Sequence, residues 1–518
     1  MTQAAAAPPI VVHIVQAMAT LGAGRADAGT LAQGVAVAQQ ALREGRAANA
    51  IPLLERLAML APQDQAIARL LGYALRHEQR YDAAEAVFSA AVTRFPREVA
   101  LRFGQAQTRY ELGMPAAKLF AKALELDPAN AEVLRNQALA MISEGQHHAA
   151  ERLLRRALTR QPGWLDGHKA LATLLWTHGR RDTYADQFAT ATRAEPRNAD
   201  LWTAWFRTVA QARDWAGASA ILDAAEQQLG TTPAIQVSRL FVAVESHDDA
   251  RAEALLSATA QIRGDVTSLC RIRHALRRGN AARAEAEALR LVAGASAMLY
   301  WPYLSLAWRM LGDARWEWLD QPDVLVAPHE SGMAASDLGH LAELLRTLHT
   351  AQAPYIEQSV RGGTQTDRSV LLRREPALQA LKARLLDVIR GYVAALPPHD
   401  AAHPLLSASR QHLLVEGSWS IRLERQGYNV PHTHAMGWLS TAFYVTLPGP
   451  EQIGAAPAGH IAFGTPPAEL GLDLQPFCVI KPAPGRMAIF PSYMWHGTVP
   501  FDDGERMVVA FDVRRPNY

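Results

Sequence analysis

Five prolines set the frame of this chain. Pro62, Pro96, Pro128, Pro162 and Pro196 are separated by 34, 32, 34 and 34 residues. Proline cannot continue a helix, because it lacks the backbone donor and its ring clashes with the preceding turn. A helix-forming chain broken at that interval folds as a series of similar short units. From about 31 to 232 the sequence between the breaks is rich in Ala, Leu, Arg and Glu, with apolar residues at helical spacing. Residue size also recurs. Leu71-Gly72 sits on one helix, and Ala84, Phe88 and Ala91 follow on the next, closed by Pro96. Gly104, Ala116, Phe120, Ala123 and Pro128 repeat the pattern, and so do Ala138, Ala150, Leu154, Ala157 and Pro162. Small residues such as Gly72 and Ala84 let antiparallel helices approach, and Leu71 and Phe88 fill the holes between them. One helix pair cannot bury its apolar face, so units stack.

This pattern resembles the tetratricopeptide repeat over about five units. The resemblance implies an all-α solenoid whose concave groove takes a peptide or a partner protein. The competing reading is a scaffold that only packs against a neighbouring domain or makes a dimer. Trp164, Trp176, Trp202 and Trp205 are candidates for the groove wall or for inter-helix core. Residues 1–30 precede the array as an N-terminal segment, and 233–318 continue it as degenerate helical repeats. A length of 518 residues requires several domains. Lys+Arg 52 against Asp+Glu 50 leaves no basic field for nucleic acid. Cys270 and Cys478 are too few and too far apart for a disulfide framework or a cysteine-built zinc site, and they fit a reducing cytosol. With no basic leader and no run of about 18–20 apolar residues, a cytoplasmic protein without a membrane partner is expected. Oligomeric state is not legible.

From 319 to 518 the period changes. The run DQPDVLVAP (320–328) contains a short β-branched stretch that reads as a strand, 334–350 and 375–396 read as helices, and 359–367 as a glycine loop. Two-residue alternation then predicts strands at 418–425, 437–447, 459–464, 477–482, 485–491 and 506–513. Short strands at this spacing suggest a β-barrel or sandwich. His432 and His434 form the run PHTH before one strand, and His496 follows another. In extended chain, residues i and i+2 face the same way, so both imidazoles of H-x-H can reach one metal. A third histidine from a strand folded back across the barrel completes a face of three ligands. That face leaves the open positions a catalytic metal needs.

The segments SVRGGTQT, GSWSIRLERQGYNVPHTHAMGWLSTAFYV and PGRMAIFPSYMWHGTVPFDDGERMVVAFDV carry a resemblance to the 2-oxoglutarate/Fe(II)-dependent oxygenases that follow tetratricopeptide repeats. The resemblance implies a multidomain chain: an all-α repeat solenoid, then an α+β double-stranded β-helix, a cupin-like jelly roll, over 319–518. It implies Fe(II), 2-oxoglutarate and O2 in a dioxygenase reaction, which hydroxylates a peptide or protein side chain if the repeats recruit it. Metal ligands would be His432, His434 and His496, with Arg506 holding the distal carboxylate of 2-oxoglutarate. The superfamily motif has an acidic residue where this chain has His434. That histidine is therefore either a neutral third ligand or a neighbour of a two-histidine site, and zinc, nickel or copper would also suit three histidines. Three neutral imidazoles leave Fe(II) its full charge, and dianionic 2-oxoglutarate brings the sum to about zero.

Arg506 has a second reading, a surface ion pair with Asp502 or Glu505. Tyr444 and Ser440 are candidates for supporting the cosubstrate or a ligand, with packing as the alternative. Arg361, Thr364 and Gln365 could cap the mouth, and Trp438 and Trp495 could shield the metal or pack in the core. His412 and His460 read as structural. Two other functions stay open. One is a non-catalytic repeat adaptor with a metal-binding cupin-like module. The other is a three-histidine dioxygenase that needs no 2-oxoglutarate.

Overall fold

A computed structural model describes residues 9–22 and 27–516. Within the expected N-terminal segment 1–30, residues 1–8 and 23–26 lie outside the described part. The rest forms helix Pro9–Thr20 and the start of helix Ala28–Arg43. The chain divides into two compact units, one mainly of residues up to Leu153 and one mainly of residues from Leu154 onward.

The first unit is helical hairpins. Phe88 shows why the size pattern matters. A Cβ added at Gly72 or at Gly104 would lie 2.4 Å from its ring, so both glycines are space for one phenylalanine. The recurring proline has a second use. At two of these breaks a cap follows two residues later: the Asp64 carboxylate accepts from the N–H groups of Ala66 and Ile67, and Asn130 from that of Val133. A groove of about 460 Å³ is lined by Tyr73, Phe103, Gln107, Asn130 and their neighbours on alternate helices.

In the second unit the helices continue from Leu165–Thr177 to Trp301–Leu311 and Arg315–Asp320, and Asn198 after Pro196 again caps a helix. Trp202 is buried and Trp205 stacks between it and Phe188, which is inter-helix packing. Trp164 covers Gly167, where a Cβ would meet its ring at 2.1 Å.

Among the described residues nine strands follow: β1 Ala327–Glu330, β2 Val360–Gln365, β3 Val415–Asn429, β4 Gly437–Thr446, β5 Ile461–Phe463, β6 Cys478–Ile480, β7 Arg486–Pro491, β8 His496–Thr498 and β9 Glu505–Arg514. They pair antiparallel in one sheet of order β1-β7-β4-β9-β3-β2 and another of order β6-β5-β8. The two face each other across a core that includes Ile421, Tyr444, Phe490 and Val508 from the large sheet and Ile461, Phe463 and Ile480 from the small one. The outer face of the large sheet is covered by helices Ala335–Leu348 and Pro376–Ala395. Strand β9 therefore reads two ways. Met507, Val509, Phe511 and Val513 join the helix-side core, while Val508 and Ala510 face the sandwich interior.

Two local expectations are corrected. The run 320–328 is not a strand throughout: Pro322–Leu325 is a short helix, started by a proline at its first position, and β1 begins only at Ala327. The glycine loop 359–367 is largely strand β2, the edge of the large sheet. Its glycines mark a bulge against β3, where Gly362 has φ +66° and a Cβ on Gly363 would lie 2.2 Å from the Arg422 carbonyl oxygen. Cys270 and Cys478 are both free thiols, and no helix among the described residues is long and apolar enough to cross a membrane.

Candidate metal centre

The end of β3 builds the site. Pro431 stops the strand, and His432 then makes a two-way backbone bridge with His496 at the start of β8, with N–H to carbonyl distances of 3.0 and 3.1 Å. The N–H of His434 donates to the Ser492 carbonyl at 2.8 Å. Gly497 permits the close crossing, since a Cβ there would lie 3.0 Å from the Asn429 carbonyl oxygen. One potential ligand atom from each of His432, His434 and His496 falls within 4.8 Å of the others.

The outer nitrogens fix which atom faces inward. Nδ1 of His432 lies 2.8 Å from the Val430 carbonyl, and Nδ1 of His496 lies 3.0 Å from the Met494 carbonyl. Nδ1 of His434 lies 2.8 and 2.9 Å from the two Asp512 oxygens. Carbonyl and carboxylate oxygens only accept, so each Nδ1 must carry the proton. Nε2 is therefore the inward nitrogen of each ring, and in a neutral ring so oriented it carries the lone pair a metal takes. Burial, with the charge of a neighbouring histidine behind it, pushes His432 down to about 3 and His496 well below the usual imidazole range. Both are neutral, ligand-ready rings at neutral pH. The donor set fits a divalent ion with open coordination positions.

The histidines open on a cavity of about 770 Å³ that Arg506 also lines. Arg506 is 2% exposed. It makes no ion pair among the described residues, and its Nε and the Tyr444 hydroxyl are buried without hydrogen-bond partners. Asp502 and Glu505 do not hold it; Glu505 pairs with Arg346 and Arg422 instead. The guanidinium carbon sits 5.1 Å from the Tyr444 ring centre. Burial lowers the pKa of Arg506, opposed by Tyr444, and raises that of Tyr444.

The other candidates fall in three places. Arg361 and Gln365 line the cavity, the former with its guanidinium on the Gln358 and Val360 carbonyls. Ser440 lies behind the histidines, its hydroxyl donating to Asp512 at 2.6 Å. Trp438 and Trp495 are elsewhere: Trp438 is buried in the helix-side core and donates to the Leu405 carbonyl, and Trp495 donates to the Pro302 carbonyl. Thr364 hydrogen-bonds His349 at 2.8 Å, and His460 contacts the Ala458 carbonyl.

Several site residues are absent from the sequence reading. Ser359 places its hydroxyl 3.3 Å from His432 Nε2. Gln358, Trp419 and Gln211, the last from a repeat helix, line the cavity. Asp512 is the most consequential, and its signal was available: it shares the parity of Arg506, Val508 and Ala510 on one alternating strand.

Comparison with known proteins matches two parts of the chain. Residues 417–512 match the family described as "Putative 2OG-Fe(II) oxygenase", and 41–113 match the tetratricopeptide repeat. No curated protein matches. Similar solved structures include a tetratricopeptide repeat protein from Parabacteroides merdae, at 16% identity and TM-score 0.30 over 46% of this chain and 98% of that one. A thermophilic TPR protein of Thermus thermophilus matches at 21% identity and TM-score 0.28, over 35% of this chain and 98% of that one. MamA of Desulfovibrio magneticus matches at 18% identity and TM-score 0.30, over 34% and 99%. The family matches give the chain tetratricopeptide repeats within 41–113 and, over 417–512, a domain of the family described as "Putative 2OG-Fe(II) oxygenase".

Proposed function

We propose that residues 319–518 are an Fe(II)- and 2-oxoglutarate-dependent dioxygenase that hydroxylates a peptide or protein side chain, and that the repeats 31–232, extended by 233–318, recruit the substrate or a partner. His432, His434 and His496 would hold the metal, and Arg506 the far carboxylate of 2-oxoglutarate. The observation that carries this is Arg506. A buried guanidinium with no anion beside it costs stability unless a ligand neutralises it. It lines the same cavity as three converging imidazoles. Arginine suits a carboxylate because its planar fork donates two parallel hydrogen bonds.

Bound together, Fe(II), 2-oxoglutarate and O2 supply the oxidising power to hydroxylate an unactivated C–H bond, with succinate and CO2 as co-products. The chain's own contribution is positional. The Nδ1 hydrogen bonds lock the three rings in one tautomer and direction. Phe490, Ile421, Val508 and Ala510 keep much of the cavity wall apolar, which strengthens every charge interaction inside it. Tyr444 packs against the Arg506 guanidinium from outside the cavity lining and helps hold it in place. On the cavity wall, Gln211, Gln358 and Gln365 offer amide groups that suit a peptide backbone.

The test is succinate release from 2-oxoglutarate by purified full-length protein with Fe(II) and O2. Release that depends on His496 supports the reading; a wild-type protein loaded with iron that releases none contradicts it. The requirement for 2-oxoglutarate also separates this reading from a three-histidine dioxygenase that does without it.

A further inference from the structure

We propose that Asp512 is the anionic partner of the metal centre: it acts through His434 and supplies, one ring further out, the charge that a directly ligating carboxylate would bring. This rests on the oxygenase reading for what binds in the cavity. It goes beyond that reading in assigning a positioning residue and the charge balance of the site.

The three histidines are not equivalent. Nδ1 of His432 and of His496 each meets a neutral backbone carbonyl, whereas Nδ1 of His434 meets both oxygens of a carboxylate. His434 is also the residue standing where an acidic ligand is expected. Asp512 is 7% exposed. Among the described residues no lysine or arginine pairs with it; its ion-pair partner is His434. Ser440 donates to it at 2.6 Å, and Gly437 leaves it room, since a Cβ there would lie 3.1 Å from its carboxyl carbon. A carboxylate behind an imidazole holds the ring in place and makes its far nitrogen a stronger ligand.

Charge counting leads to the same residue. Fe(II) at 2+ and 2-oxoglutarate at 2− cancel, but Arg506 is buried in the same sandwich and adds 1+. The expectation of a neutral assembly from metal and cosubstrate alone is therefore one charge short. Asp512 supplies it. The other buried acid between 319 and 516 is Asp320, which accepts from Ser305 of a repeat helix. With Asp512 included, the charges of metal, cosubstrate, Arg506 and Asp512 sum to zero, so the site itself takes no net charge out of water.

The experiment is an anaerobic Fe(II) titration in competition with a chromophoric chelator, repeated with Co(II) to read the ligand-field spectrum. It uses the full chain, wild type and Asp512→Asn. Asparagine keeps an oxygen to accept the Nδ1 proton and nearly the same shape, and it removes the charge. The expected result is Fe(II) affinity lower by about tenfold or more in Asp512→Asn, with a shifted Co(II) spectrum. Equal affinity in the two proteins overturns the proposal. Should Asp512→Asn fail to fold, Ser440→Ala removes the hydroxyl that donates to the carboxylate and also contacts Ser492 and His434 Nδ1. A several-fold loss of Fe(II) affinity is expected there, and unchanged affinity again overturns the proposal. A wild-type protein that binds no Fe(II) at all would instead defeat the oxygenase reading on which this rests.

Discussion

Arg506 and Asp512 are two residues that the metal-free protein holds at a cost. Arg506 is a buried charge with no anion beside it among the described residues, Asp512 is a buried carboxylate whose ion-pair partner is the His434 imidazole, and the two lie on one face of β9. Sites of this kind trade stability for binding. Arg506→Met keeps much of the volume and removes the charge. It should raise the melting temperature of the metal-free protein by a few degrees, on the scale of about 2–4 °C per kcal/mol for a large domain. The same substitution should abolish most of the extra thermal protection that 2-oxoglutarate gives the Fe(II)-loaded wild type. Differential scanning calorimetry reads both, and a variant that is less stable and still protected would contradict the role given to Arg506. That the histidines and Arg506 meet at one cavity was legible from residue type, spacing and the family resemblance together. Asp512 was not singled out, although it has the right parity, because an aspartate near the end of a strand reads as solvent-facing until the opposite wall is known.

Among elements, the segment leading into the cavity wall at 356–359 is held from the repeat side. The Gln352 N–H donates to the Thr177 carbonyl at 2.9 Å, and the Trp176 indole N–H donates to the Pro354 carbonyl at 3.0 Å. A few residues on, Gln358 and Ser359 line the cavity. Trp176 thus works neither as groove wall nor as inter-helix core alone. Trp176→Ala should speed amide hydrogen exchange across 351–359 while leaving strands β4 and β9 protected. Unchanged exchange in that segment would show that the contact does not hold it. In the first unit the size pattern gives a sharper expectation. Gly72→Ala forces a methyl group into the Phe88 ring and should destabilise by about 1–3 kcal/mol, and Phe88→Ala by about 3–5 kcal/mol, read by denaturant melts followed by helical circular dichroism. The repeats were readable because proline spacing and size alternation are local. Strand β2 was not, because glycine signals a loop in isolation and only pairing with β3 makes it an edge strand.

For the whole molecule, Asp320 marks the passage from helices to sheet. It is fully enclosed, accepts from Ser305 at 2.5 Å, and burial raises its pKa to about 7. Unfolded, it titrates near 3.8. Between those values the folded chain keeps a proton that the unfolded chain has lost. Stability contributed by this group is therefore complete below 3.8, declines as pH rises, and is fully lost above about 7. Asp320→Asn should remove that slope, so the melting-temperature difference between variant and wild type should grow in the variant's favour from acid to neutral pH. A difference independent of pH would contradict it. The domain order was legible from the change of period near 319. The contribution of Gln211 to the cavity was not, because no local pattern records which distant helix a barrel mouth will meet.

The central claim is that three imidazoles and one guanidinium serve one metal–keto acid complex. Anaerobic titration with Fe(II) and then 2-oxoglutarate, followed by visible absorption, tests it most directly. A weak charge-transfer band should appear in wild type, vanish in His496→Ala, and require a much higher 2-oxoglutarate concentration in Arg506→Met. No band in iron-loaded wild type, or a band indifferent to Arg506, would contradict it.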